Sequence, residues 1–336
     1  MERQLVTYRT VKELKPIDGA DKIELAIVDG WQCVVDKGAF VSGDIGIFFE
    51  IDSFLPIRPE FEFLRKSSYK KMGDEEGFRL RTIRMRGQIS QGLFVTLSMF
   101  PELIGAETPE QLQETLKVQK YDPPLPACLG GDAVGYVPGF ICKTDQERVQ
   151  NLVDFVASHA GVLFEATEKL DGSSCTYYHN NGAVGVCSRN LELKRTEGNT
   201  FWRIADELSV FDILTSLGRN IAIQGEVCGP GIQKNRYRLK KQVFFVFDIW
   251  DIDQQRYLTP VERTDLMCEF DGFDHVPILK VVTLPGTVDE ILAVADGRSQ
   301  LTATPREGMV FKAMEVEGGR VPSFKAISNA FLEKEG

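Results

Sequence analysis

The chain changes its grammar part-way along, and that change limits its possible folds more than any single residue does. Up to about residue 100 it reads as short apolar runs, Gln4–Thr7, Lys22–Val28, Trp31–Val35, Ile45–Ile51, Phe78–Met85 and Leu93–Leu97. They are cut by the turn signals Asp18-Gly19, Asp29-Gly30, Ser42-Gly43-Asp44 and Arg86-Gly87. Runs this short, with turns this frequent, predict a small all-β barrel over residues 1–100. Residues 101–143 shift to Pro, Gly and polar residues, with Pro123-Pro124-Leu125-Pro126, Leu129-Gly130-Gly131-Asp132 and one helix near Pro109–Leu116, and read as a linker. Beyond it, Val149, Leu152, Val153 and Val156 recur at helical intervals within Thr144–His159. Strand-like segments follow at Phe164–Glu168, Ser174–His179, Ala183–Ser188, Ala222–Val227, Val243–Trp250 and Met309–Met314, with helices near Asn199–Leu208 and Asp289–Ala295. Residues 144–336 are therefore expected to form an α+β domain built on antiparallel sheets.

Charge narrows the function. With 39 basic and 49 acidic residues the formal charge is −10, which excludes a uniformly basic nucleic-acid coat but not a local basic groove. The first hundred residues hold 15 of each sign, so the acidic surplus lies beyond them. Within them, Arg65 to Arg86 carries Arg65, Lys66, Lys70, Lys71, Arg79, Arg81, Arg84 and Arg86 against Asp74, Glu75 and Glu76, with Tyr69 and Phe78 between. Cations for phosphates and flat rings for bases are what a strand-tracking surface needs, and Arg79, Arg81, Arg84 and Arg86 are its candidate contacts. A solvated strand face with a charged loop is the competing reading. The change of parity between Arg81 and Arg84 requires a bend or a bulge.

No apolar run approaches the ~18 residues of a membrane span, and no apolar leader follows Met1. The seven cysteines are scattered without a C-x-x-C pair, which fits a reducing compartment. A soluble intracellular protein is expected, with cytoplasm and nucleus not distinguished. His159, His179 and His275 are far apart and show no zinc spacing.

Chemistry concentrates in the second region. Lys169-Leu170-Asp171-Gly172 stands between two strand-like runs, which would hold a lysine at the mouth of a sheet; alone it reads first as a solvated turn. Its ordered company is Ser188-Arg189-Asn190, Gly225-Glu226, Phe244-Phe245-Val246-Phe247-Asp248-Ile249, Glu307-Gly308-Met309-Val310-Phe311-Lys312 and Ser323-Phe324-Lys325. In that order and spacing these elements resemble the covalent nucleotidyltransferase superfamily of ATP-dependent polynucleotide ligases and mRNA capping enzymes. The resemblance runs from about Thr144 to the C-terminus and implies an adenylyltransferase domain, an ATP-grasp-like ligase fold.

The resemblance also implies roles. Lys169 would be the nucleophile that becomes attached to a nucleoside monophosphate, with Lys312 and Lys325 against the α-phosphate. Arg189 would grip the nucleotide or a 5′-phosphate, Phe244 would stack on the base, and Glu168, next to the nucleophile, would also bind the nucleotide. Asp171, Glu226 and Glu307 would serve the sugar and a divalent metal, Mg²⁺ or Mn²⁺. The residue types suit the chemistry. A lysine attacks phosphorus only when deprotonated, and burial and neighbouring cations such as Lys312 and Lys325 would lower its pKa from about 10.4. Hard carboxylates suit an oxygen-bound divalent ion, and cations neutralise charge as pyrophosphate departs. Each carboxylate alone reads as a strand-end charge, and each Phe of 244–247 as core.

Only 11 residues follow Lys325, too few for the second barrel that DNA ligases and capping enzymes carry there. The layout instead resembles ATP-dependent RNA ligases in which an OB-type barrel precedes the nucleotidyltransferase domain. Thr144–Asn151 and Ser323–Asn329 also resemble segments of that branch, which adds Arg148 as a contact to the leaving triphosphate. Ile327 stands where many relatives have a second lysine. The implied activity is ATP-dependent sealing of 3′-OH/5′-phosphate breaks in RNA through lysyl-AMP and an adenylylated strand, with a nick in duplex RNA or RNA/DNA hybrid the expected substrate and a monomer the expected state. The alternatives are a GTP-dependent guanylyltransferase and a catalytically silent RNA-binding module.

Overall fold

A computed structural model describes residues 4–103, 105–122, 132–269 and 272–335. The chain divides into two compact units, one running to residue 125 and including the last residues from Leu332, the other spanning Pro126–Phe331. The expected Pro-rich stretch at 123–126 and Leu129–Gly131 lie outside the described residues.

The first unit carries a five-stranded antiparallel sheet in the order Leu93–Thr96, Ile45–Phe49, Val6–Pro16, Ile23–Val28, Trp31–Asp36. Val6–Pro16 spans it by pairing first with Ile45–Phe49 and then, past an irregularity between Val11 and Glu13, with Ile23–Val28. Such a bulge adds bend and twist, which lets one strand serve two halves of a barrel. Asp29 and Gly30 both have positive φ, 47° and 81°, and make the two-residue turn that matches strand twist. The Trp31–Asp36 edge is met by side chains: Ser90 Oγ accepts from Val34 N at 3.0 Å and Gln91 Oε1 from Gln32 N at 3.0 Å. A smaller sheet of Gln119–Lys120, Ser53–Pro56, Glu75–Arg79 and Tyr69–Met72 packs with the helix Pro109–Leu116 around Phe49, Phe61, Phe78 and Phe100. The expected linker is thus structured at its start, where Leu103, Leu112, Leu116 and Val118 join this core.

The expected single strand Phe78–Met85 is two. Glu75–Arg79 ends in the small sheet, and Thr82–Met85 begins a separate hairpin with Gln88–Gln91 whose turn is Arg86-Gly87, φ 48° and 82°. The break at Leu80-Arg81 supplies the bend that the arginine spacing requires.

The second unit has two sheets. Eight strands run in the order Ala133–Tyr136, Leu191–Leu193, Ala183–Ser188, Ser173–Asn180, Ile221–Cys228, Val243–Asp251, Arg256–Tyr257, with Asp274–His275 pairing parallel to Val243–Asp251. Alternation puts Tyr177, Ile221, Ile223, Val227, Phe244 and Val246 on one face, where Trp202, Val210, Leu214 and Leu266 from three helices complete a core. Two of those helices are capped as their sequences suggest, by Asn199 accepting from Phe201 N and Trp202 N, and by Thr259 in a capping box with Glu262. The other sheet orders Ile278–Thr283, Leu163–Lys169, Gly308–Ala313 and Ser323–Ile327. Phe164, Ala166, Met309, Phe311, Phe324 and Ala326 fill its covered face.

The helix expected over Thr144–His159 is confined to Val153–Ser158 after a short turn at Val149–Asn151. Its first residues stay extended because Lys325 N donates to Glu147 O at 2.8 Å and Arg148 bridges Lys325 in parallel. Strand pairing there outweighs helical periodicity.

Candidate active site

Registry on the four-stranded sheet gathers the lysines. Glu165 lies opposite Lys312, Thr167 opposite Val310, Lys169 opposite Gly308, and Val310 opposite Lys325. Because strand side chains alternate, Glu165, Lys169, Lys312 and Lys325 all project from the face opposite the Phe164–Phe324 core. Lys169 closes its strand, and its Nζ stands 2.6 Å from Glu307 Oε1. Burial pulls its pKa down, but Glu307, Glu226 and Asp171 together hold it above the usual lysine value. The expected depression by neighbouring cations is therefore not the resting state. The nearest charges are carboxylates, and they keep this amine protonated.

The carboxylates crowd the same lysine. Glu226 projects from Ile221–Cys228 and is pushed up to about 7 by burial and by Glu307 and Asp171, against the pull of Lys169 and a hydrogen bond from the Gly172 backbone. The second oxygen of Glu307, Oε2, is buried without a hydrogen-bond partner. Asp171 N donates to Tyr237 Oη at 2.7 Å. Gly172 permits the close turn, since a Cβ there would lie 2.4 Å from Val227 O. Among the described residues, no group of three or more His, Cys, Asp or Glu is assembled to hold a metal ion. What the carboxylates form instead is an excess of negative charge around one ammonium. An unpartnered buried oxygen and a carboxyl held near neutrality mark where further positive charge would be stabilised.

Lys312 is held differently from Lys169. Its Nζ donates to Asp248 Oδ1 at 2.7 Å and to the Phe247 carbonyl, and both side chains are under 5% exposed. Burial holds its pKa below the usual lysine value despite Asp248. Beside it Arg263, wholly buried on the helix Pro260–Met267, donates to Glu165 Oε1 at 2.6 Å and to Phe247 O at 3.5 Å. Two buried ion pairs thus lie under the site and meet at one carbonyl.

Phe244 lies in the core, 1% exposed, with Tyr177 at 4.8 Å between ring centroids, on the face away from Lys312. Phe245 and Phe247 are on the lysine side, Phe247 partly exposed with its ring 5.8 Å from Lys312 Nζ. Plain alternation sets Phe245 apart from Phe244, and the pairing turns irregular just beyond them: Gly225 is opposite Val246 but Gln224 is opposite Asp248, so Phe247 is an extra residue. This bulge places Asp248 on the same face as Phe245 and Glu226, where strict alternation would send it to the core. Asp248, Glu165 and Arg263 were not singled out as site residues from the sequence. A carboxylate in the apolar run Leu163–Ala166 was the available signal for Glu165.

The remaining candidates are distributed as follows. Glu168 is buried, with Oε2 accepting from Gln300 N at 2.7 Å. Arg148 lies beside Lys325. Arg189 is exposed and pairs with Asp145 at 2.7 Å. In the first unit Arg79 is bound to Asp52 at 2.7 Å and stacks on Tyr121, while Arg81, Arg84 and Arg86 are exposed on and next to the Thr82–Gln91 hairpin. Arg65 pairs with Glu62 and Lys71 with Glu76, so part of this basic segment is already neutralised.

An OB-fold β unit and an antiparallel domain with a lysine ringed by carboxylates define a ligase-type protein. The OB-fold domain model matches residues 5–97 and the RNA ligase model residues 163–327. The chain belongs to the RNA ligase family. Among solved structures, Naegleria gruberi RNA ligase with PPi aligns over 99% of both chains at 45% identity, TM-score 0.85. A variant of that ligase with AMP and Mn aligns over 99% of both chains at 45% identity, TM-score 0.86. Another variant, with ATP and Mn, covers 98% of this chain and 99% of its own at 45% identity, TM-score 0.85. A comparison with the curated proteins returned no match.

Proposed function

We propose that this chain is an ATP-dependent RNA ligase that seals 3′-OH/5′-phosphate breaks, nicks in duplex RNA or RNA/DNA hybrid above all, through lysyl-AMP. The observation that carries this reading is Lys169 at the end of its strand, 2.6 Å from Glu307, facing the same way as Lys312 and Lys325. The relatives solved with ATP and Mn, AMP and Mn, or PPi support it.

In the first step Lys169 Nζ gives up a proton to the Glu307 carboxylate 2.6 Å away and attacks the α-phosphorus of ATP; a P–N bond forms, the bond from that phosphorus to the β-phosphate oxygen breaks, and pyrophosphate leaves. In the second, a 5′-phosphate oxygen attacks the same phosphorus and the P–N bond breaks, freeing Lys169. In the third, a 3′-hydroxyl attacks the 5′-phosphorus and AMP departs as the phosphodiester forms. Lys325 and Arg148 are placed together to meet phosphate charge. Lys312, committed to Asp248 and the Phe247 carbonyl, positions the strand that carries Phe247, and Phe247 rather than Phe244 meets the base. Asp171, Glu226 and Glu307 offer hard oxygens suited to Mg²⁺ or Mn²⁺, which when bound would neutralise charge developing on the phosphates. Arg81, Arg84 and Arg86 meet the RNA backbone in the barrel.

Incubation with α-labelled ATP and a divalent ion is expected to leave label on the protein, and Lys169→Ala to abolish it. Label that persists in Lys169→Ala, or never forms, refutes the mechanism, and competition by GTP in place of ATP would point to capping chemistry. Sealing of nicked duplexes with RNA or DNA on each side of the nick reads the substrate.

A further inference from the structure

A second basic segment, besides that of the barrel, lies in the second unit. Lys234-Asn235-Arg236-Tyr237-Arg238-Leu239-Lys240-Lys241 holds five cations in eight residues, and no Asp or Glu occurs between Val227 and Phe247. Lys234, Arg238, Lys240 and Lys241 are exposed. Arg238, Lys240 and Lys241 make no ion pair among the described residues, unlike Arg65, Lys71 and Arg79 of the barrel.

This segment is built, not loose. Gln233, Asn235 and Arg238 all have positive φ, 45°, 42° and 52°, a conformation that side chains adopt only under local constraint. The Asn235 side chain supplies that constraint by accepting from Leu239 N at 3.1 Å and donating to Leu239 O at 3.0 Å. Arg236 is turned inward, donating to Pro305 O at 2.8 Å and covering the Phe331 ring. Two further bonds tie the segment to the nucleophile turn: Asp171 N donates to buried Tyr237 Oη, and Gln233 Nε2 donates to Gly172 O at 3.2 Å. A row of unpaired cations is therefore fixed to the turn that carries Lys169.

We propose that Arg238, Lys240 and Lys241 form a docking surface for the sugar–phosphate backbone of the RNA strand, next to the break being sealed. Three unpaired cations on a rigid loop suit a polyanion, and their attachment to the Lys169 turn means that contacts made here orient the strand relative to the reacting phosphorus. The proposal rests on the RNA ligase reading above. The same cations could meet the triphosphate of ATP, and the two sources of phosphate are separated below.

The test variant is Arg238→Asn/Lys240→Gln/Lys241→Gln, with Asn chosen because it tolerates positive φ. Three readouts are compared with wild type: RNA-free labelling by α-labelled ATP across ATP concentrations, binding of a nicked RNA duplex across salt, and sealing of that duplex. Labelling and the KM for ATP are expected to be unchanged. Duplex affinity is expected to fall roughly tenfold or more near 0.1 M salt, and the slope of log K against log salt to shrink by about 2 to 3, for the loss of three phosphate contacts. Unchanged affinity and slope overturn the proposal, and so does a raised KM for ATP with normal duplex binding, which would assign the loop to the triphosphate. Failure of the wild type to label at all would refute the mechanism above, whereas the salt-dependent binding would still decide the role of the loop.

Discussion

Replacing Arg263 tests whether the buried charges under the site act as a balanced set. Glu165 and Arg263 are 5% and 0% exposed, Asp248 and Lys312 are 4% and 3%, and the contacts in each pair are 2.6 and 2.7 Å. Two cations and two anions share one dry volume, so removing one cation leaves a net buried negative charge. Arg263→Met fills similar space without charge and strands Glu165, whose neighbour in register is Lys312. Breaking one partner of such a pair costs about 3–5 kcal/mol, because the charge left behind stays desolvated. Removing both, in Glu165→Leu/Arg263→Met, is expected to return to within about 1–2 kcal/mol of wild type, since apolar replacement of a whole buried pair is near neutral. The double mutant also leaves Asp248 as the only anion for Lys312, so adenylylation should persist, whereas Arg263→Met alone lets Lys312 turn towards Glu165 and should slow it. Urea unfolding followed by tryptophan fluorescence reads the stability, since Trp202 and Trp250 both lie in this unit. A cost below about 1 kcal/mol for Arg263→Met, or a double mutant as unstable as its two singles added together, would refute the idea that these charges depend on one another.

Phe247→Ala is expected to raise the KM for ATP in labelling roughly tenfold through lost stacking, with little change in stability. Phe244→Ala should instead cost about 3–5 kcal/mol of stability and leave that KM unchanged, and the reverse pattern would put the base on the other face. His275 is held down to about 3 by burial, Arg263 and Lys312, and its Nε2 is buried without a partner. Below pH about 6.5 the unfolded chain binds a proton that the folded chain excludes, so stability should fall by about 2 kcal/mol from this group between pH 7 and pH 5. His275→Gln should remove that part of the slope, and equal slopes in urea titrations of the two proteins would contradict the assignment. A Cβ on Gly308 would lie 2.2 Å from Ala326 O, directly across from Lys169, so Gly308→Ala should separate the strands and reduce labelling by about a hundredfold or more.

How far the sequence could be read follows from which forces set each feature. Turns and caps are local, so Asp29-Gly30, Arg86-Gly87 and the helix at Pro109–Leu116 appear where residue type places them. The lysines were legible because registry conserves parity: Lys169 and Lys312 face one way once their strands pair. The side of the sheet on which Asp248 lies was not legible. One extra residue at Phe247 shifts the parity of everything after it, and bulges leave no composition signal. The pairing of Arg79 was not legible either, because its partner Asp52 lies 27 residues away in the turn before Ser53–Pro56. Long-range neutralisation of charge cannot be read from a run of basic residues.

The same reasoning changes what the net charge of −10 means. Six of those ten charges belong to the unit spanning Pro126–Phe331, where Asp171, Glu226 and Glu307 crowd one ammonium and hold it protonated. On the proposed mechanism Lys169 attacks phosphorus only once it has lost its proton, so that hold would have to loosen when the triphosphate arrives. A divalent cation held by Asp171, Glu226 and Glu307 would offset their charge and lower the Lys169 pKa. The acidic ring would then act against premature reaction as well as offer oxygens to a metal. The loop of residues 234–241, by contrast, carries no Asp or Glu and is locally basic. Separating the two signs by a single rigid turn, with Tyr237 and Gln233 bonded to Asp171 and Gly172, lets one domain attract a polyanion to within reach of a lysine that is itself surrounded by anions.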